Sequence, residues 1–168
     1  YMKLVFGNNK KGATYYIGNF TIKEDASAGV RIDKDVLVID DFNQGTDQNV
    51  LGGQSLLFYG SHTSHIEKQF AADERNGQGY SLSLKYELNE RLDYAGYVSY
   101  LLDLDLWQYQ LLSIKVKTDK EAVNQDFVLG IKDTSGNQSK VQIGAFVPDG
   151  ITDEWQTVVI PLIAFEGV

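Results

Sequence analysis

Side chains able to attack, take up a proton or hold a metal are sparse in this sequence of 168 residues. Its only histidines, His62 and His65, stand in "HTSH" among Ser61, Thr63 and Ser64. Two imidazoles three apart on a loop could hold Zn²⁺, but the chain has no cysteine and only Glu67 lies near as a carboxylate. The pair therefore reads as surface-loop histidines. Glycosidases need only two carboxylates, and Asp40 with Asp41, Asp103 with Asp105, and Asp153 with Glu154 are the candidates. Asp103 and Asp105 alternate with Leu102 and Leu104, which puts both carboxylates outward on a strand, in water, where a general acid is poorly placed. No G-x-S-x-G elbow or P-loop occurs, and "GNNKKG", Gly7 to Gly12, reads as a hairpin turn. The chain thus reads as non-catalytic.

The elements that would carry these residues are strands. "YSLSLKYEL" sets Leu82, Leu84, Tyr86 and Leu88 on one face, with Ser81, Ser83, Lys85 and Glu87 on the other. The same period of two puts Leu112, Ile114 and Val116 inward, then Phe127, Leu129 and Ile131, then Val141 and Ile143. In "YVSYLLDLDL" it selects Val98, Tyr100, Leu102 and Leu104 as inward, and in "WQTVVIPL" Trp155, Thr157 and Val159 or their neighbours. "NGQG", "TSGN" and "PDG" supply turns, where Gly and Asn accept positive φ and Pro presets a turn position. "HIEKQFAADERNG" is too short and polar for a helical stripe and reads as loop or edge strand. The expectation is an all-β, antiparallel β-sandwich of roughly eight to ten strands, closer to a jelly roll than to an immunoglobulin domain.

Length and composition agree. A chain of 18.8 kDa suits one domain with a core of its own. A net charge of -8 and a pI near 4.7 argue against a nucleic-acid partner, and no apolar run approaches the ~18 residues of a membrane span. Tyr1 does not begin a signal peptide, so the chain reads as a segment of something longer. Residues 1–25 read as a closing β-hairpin, 26–35 as a charged, small-residue linker, and 36–168 as the main sandwich.

Three stretches carry a resemblance: "IDDF" near the start of the main segment, "WQTVVIPLIAF" near the end, and "YYIGNFTI" in the first 25 residues. Together with the strands between them they resemble the galactose-binding-like jelly rolls of family 11 carbohydrate-binding modules. The chain is also similar to the complex I intermediate-associated domains. In those families the closing strand follows the "IPL…F" segment, whereas here it comes first. A circular permutation, the tail of a preceding tandem repeat, or a hairpin exchanged within a strand-swapped homodimer would each explain that order.

The resemblance implies a structural Ca²⁺ where the first and last strands meet, held by Asp40, Asp41 and Asn43 with Asn19 from the closing strand. Gly18 stands where the closing motif usually has Asp. It further implies a non-catalytic module, extracellular or on a bacterial cell surface, that binds a β-glucan-like polysaccharide. An assembly domain without sugar binding is the alternative. Given inward Val98 and Tyr100, the outward set is Tyr97, Ser99, Lys132 and Gln142, with Tyr59 and His62 arriving from a loop. Trp107 and Trp155 read as core or rim.

Overall fold

The computed structural model describes residues 1–7, 13–23, 36–60, 64–72, 79–89, 93–119 and 127–167. These residues form eleven strands, two short 3-10 turns and no α-helix. In chain order the strands are β1 (Met2–Gly7), β2 (Ala13–Lys23), β3 (Leu37–Asp40), β4 (Ser55–Tyr59), β5 (His65–Ala72) and β6 (Tyr80–Glu87). They continue with β7 (Tyr94–Ser99), β8 (Leu111–Thr118), β9 (Phe127–Lys132), β10 (Gln138–Gln142) and β11 (Gln156–Pro161). All pairings are antiparallel, in a sheet ordered β10-β9-β1-β7-β4 and a second ordered β11-β8-β2-β6-β5, with β3 also on β2.

The two sheets form a β-sandwich because each presents a continuous apolar face. Met2, Leu4 and Phe6 of β1 stand level with Ile131, Leu129 and Phe127 of β9, all buried. Across the interface, Phe6 stacks on Tyr15 and Tyr86 of the other sheet, with ring centroids at 5.2 and 4.6 Å. Each such ring pair adds about 0.5–1.5 kcal/mol beyond the area it buries. Leu82, Leu84, Tyr86, Leu112, Ile114 and Val116 face the same core, as their alternation predicts. In β11 the inward residues are Val158 and Ile160, the neighbours of Thr157 and Val159. "HIEKQF" lies in β5, an edge strand of the second sheet.

The two strands within the expected hairpin at 1–25 do not pair with each other. β1 lies between β9 and β7 in one sheet, and β2 lies between β8 and β6 in the other, so the two strands pair with other partners and not with each other. Residues 8–12, which join them, and the expected linker at 26–35 lie outside the described residues. β2 reaches its second neighbour through an irregularity. Ala13 to Ile17 pair with β6, the register slips between Ile17 and Phe20, and Phe20 to Ile22 then pair with β3. The slip against β8 falls at Gly18 and Asn19; the pairing with β3 has its own irregularity between Phe20 and Thr21, beside the Phe20–Asp40 pair.

The segment after Gly96 inverts the expected parity. Ala95, Tyr97 and Ser99 face the core, while Tyr100 and Leu102 are exposed. β7 ends at Ser99, and Leu102 and Asp103 take positive φ of 51° and 57°, so the alternation had been counted back through a turn. Asp103 and Asp105 consequently lie on no strand; Asp105 Oδ1 accepts the Trp107 N–H at 3.0 Å and closes a tight turn. Trp107, expected in the core or at its rim, is 93% exposed.

Candidate functional site: the outer face of the five-stranded sheet

The strand registers place side chains of the five-stranded sheet in rows across its solvent side. One row runs Lys140, Gly130, Lys3, Val98, Leu56, and the next Gln142, Val128, Val5, Gly96, Phe58. On the other side of the first row, Gln138 pairs with Lys132, whose N–H donates to the Tyr1 carbonyl, and Tyr100 follows Ser99.

Two glycines shape this face. At Gly130 a Cβ would stand 3.1 Å from the Lys3 stem, so its absence lets Lys3 lie across β9. The Lys3 ammonium then donates to Gln138 Oε1 on β10 at 2.8 Å. At Gly96 a Cβ would overlap the Phe58 ring and the Leu4 carbonyl oxygen, so the ring rests on bare backbone. Phe58 in turn meets Tyr94, at 6.3 Å between centroids and an angle of 52°. A second aromatic pair, Tyr1 and Tyr100, meets edge to face at 5.9 Å, with Lys132 Nζ 5.3 Å from the Tyr1 centroid. Burial first, then the neighbouring Lys140 and Lys132 charges, hold the Lys3 pKa below its ordinary value.

The residues expected to bind a ligand divide between the two sides of the sheet. Lys132 and Gln142 stand on the outer face, and Gln142 is exposed. Tyr97 and Ser99 do not. Tyr97 is 3% exposed, its phenol pKa is pushed well up by burial, and its hydroxyl bonds to Ser55 and Ser99. A buried tyrosine is acceptable there because its one polar atom is satisfied. Tyr59 is exposed at the end of β4, and His62 lies outside the described residues. His65 is on β5, in the other sheet, with Nε2 2.9 Å from Glu67 Oε1. Burial aside, the Glu67 carboxyl is held below its usual range by that histidine. Trp155 is half-buried, with the Lys117 ammonium 5.3 Å from its ring centroid.

Alternation counting missed Tyr1, Lys3, Tyr94, Tyr100, Phe58 and Lys140. The usable signal was Gly96 and Gly130: a mid-strand glycine marks a place where another side chain crosses the backbone.

A separate, shallow depression with room for about one water-sized sphere is lined by Asp40, Asp41, Phe42, Gln44, Gly45, Thr46, Gln48 and Val50. Asp40 is buried, and its carboxylate accepts the Phe42 N–H at 2.9 Å while Phe42 is held at φ 58°. Burial, with the Asp41 charge adding to it, raises the Asp40 pKa to about 6 against the backbone hydrogen bonds that lower it. Asp41 accepts the backbone and side-chain N–H groups of Asn43 at 3.0 and 2.9 Å. Neither Asn43 nor Asn19 lines this cleft, so only Asp40 and Asp41 of the four expected calcium ligands meet there. Its lining side chains include two carboxylates, two amides and a hydroxyl, and Asp40 has no ion-pair partner among the described residues, but no cluster of three or more carboxylate or imidazole groups that could hold a metal occurs among those residues.

Fold and surface together define an antiparallel β-sandwich with an aromatic and lysine-bearing outer sheet face. Set against protein-family models, curated proteins and solved structures, the chain finds no match in any of the three.

Proposed function

We propose that the chain is a non-catalytic carbohydrate-binding module, a jelly roll of the galactose-binding type, that holds a β-glucan-like polysaccharide along the outer face of its five-stranded sheet. The observation that carries this reading is the pair of aromatic couples, Tyr1 with Tyr100 and Phe58 with Tyr94, sharing a face with Lys132, Gln138 and Gln142. Aromatic faces take the apolar C–H patches of a sugar ring, and amide and ammonium groups take its hydroxyls. Strands carry Phe58, Tyr94 and the polar set, and Tyr1 and Tyr100 directly adjoin the ends of β1 and β7, so little ordering is left for binding to supply. Function is equilibrium binding: an extracellular or cell-surface protein that carries the module, or its tandem neighbour, is kept close to its glycan.

Asp40 and Asp41 would hold a structural Ca²⁺ in their cleft, which would tie β3 to the loop that follows it. Bound there, the metal would compensate the charge of Asp40, which burial penalises.

Affinity electrophoresis tests the main reading. Migration should be retarded in a gel containing soluble β-glucan, and less so for Tyr100→Ala. Unretarded migration across a panel of glucans, mannans, xylans and polyuronates would sink it.

A further inference from the structure

The protein is acidic, yet three of its lysines gather on the one face already assigned to the glycan. Lys3 and Lys140 flank Gly130 in a single row, two strand spacings or about 10 Å apart at the backbone. Lys132 lies two residues along β9 from Gly130. None of the three forms an ion pair with a described carboxylate, and the charges that act on Lys3 are the other two. Like charges held this close repel, and an anion lying between them relieves the repulsion directly. Asp103 and Asp133 influence the Tyr1 end of the face, but Asp133 is occupied by Asn137, which donates to both of its oxygens at 2.8 Å.

We infer that the glycan bound on this face carries carboxylates, as a polyuronate does, with Lys3, Lys132 and Lys140 as the residues that select it. The inference rests on the reading of this face as a glycan platform and shifts its preferred ligand from a neutral β-glucan, which becomes the weaker binder, to an acidic chain. A neutral sugar covering the face would strip water from three ammonium groups and return only hydroxyl contacts. A uronate returns a charge-assisted hydrogen bond to each ammonium it reaches. The net charge of -8 does not prevent this, because at physiological salt the screening length is about 8 Å and the patch acts only at contact. The aromatic pairs beside the lysines serve the sugar rings of the same chain.

Affinity electrophoresis at physiological ionic strength decides it, with gels containing polygalacturonate, alginate or a neutral mixed-linkage β-glucan. Wild-type protein should bind at least one polyuronate roughly ten-fold more tightly than the neutral glucan. Lys140→Gln, on an exposed position of an edge strand where folding is not at stake, should weaken polyuronate binding several-fold, and the double variant with Lys3→Gln more. Lys115→Gln, exposed on the second sheet, removes the same charge and should leave binding unchanged. Equal retardation by neutral glucan, or equal effects of Lys140→Gln and Lys115→Gln, would overturn the inference and leave the glycan platform standing. Retardation by none of the three polymers would overturn the inference, and retardation by no member of the wider panel of glucans, mannans, xylans and polyuronates would overturn the platform as well.

Discussion

Asn49 Nδ2 donates to Ser99 Oγ at 2.8 Å across a sequence separation of 50, joining the loop before β4 to the end of β7. The same amide nitrogen reaches the Tyr100 carbonyl, and Asn49 Oδ1 accepts the Gly53 N–H, both at 2.8 Å. Ser99 also receives a bond from Ser55, and Tyr97 closes the group. With Asn49 4% exposed, truncation to alanine leaves several buried polar groups without partners. Asn49→Ala should lower stability by roughly 2–4 kcal/mol in urea unfolding, with no change in m-value.

Tyr100 and Tyr97 make opposite predictions although they stand only three positions apart. Tyr100→Ala should reduce glycan affinity about ten-fold and leave the melting temperature nearly unchanged, because the ring is 42% exposed. Tyr97→Phe should leave affinity intact and cost about 1 kcal/mol, the worth of a buried hydroxyl's hydrogen bonds. The reverse pattern in binding and melting assays would return the site to the core-side residues.

Gly96 admits no side chain. A methyl group there would meet both the Leu4 carbonyl of the neighbouring strand and the Phe58 ring. The backbone contact cannot move aside, so Gly96→Ala should destabilise by more than about 2 kcal/mol and displace Phe58. Thermal unfolding with glycan titration of the surviving folded fraction would show both effects.

Asp40 sets a pH dependence in calcium-free buffer. Its folded pKa, about 6, lies above the ordinary value of 3.8, so the folded state holds the proton more tightly than the unfolded chain. Stability from this group is full below about pH 4 and lost as pH rises through about 6. The change should be roughly 1–2 kcal/mol, less than the full ~1.4 kcal/mol per pK unit because the cleft is open to water. Calcium should raise the melting temperature at pH 7, and a chelator should reverse it. Asp40→Asn should abolish both the pH window and the calcium response; an unchanged calcium response would place the metal elsewhere.

The strands were largely legible because burial of one face imposes a period of two wherever a strand runs uninterrupted. Leu82 to Leu88, Leu112 to Val116 and Phe127 to Ile131 point as their spacing requires. The outer face was half legible. Lys132 and Gln142 face outward as the alternation of their strands requires, whereas the outward reading of Tyr97 and Ser99 rests on an alternation extended beyond the end of β7. Hydrophobicity gave the wrong sign there, since Tyr100 and Leu102 are exposed while a serine and a tyrosine are buried and hydrogen-bonded.

Read alone, then, the amino-acid order determined an all-β chain, its main inward faces and its lack of cysteine chemistry, since these follow from local spacing and composition. Which strands become neighbours was decided only in three dimensions. "TYYIGNFTI" had the look of one arm of a hairpin, but the other arm, "MKLVF", lies in the opposite sheet, and both are interior strands. Long-range pairing also carried Lys3, Lys132 and Lys140, separated by up to 137 positions, onto one face. Local pattern constrains which side of a strand is apolar; it carries no information on which distant strand will lie beside it, because that choice is made by the packing of the whole core.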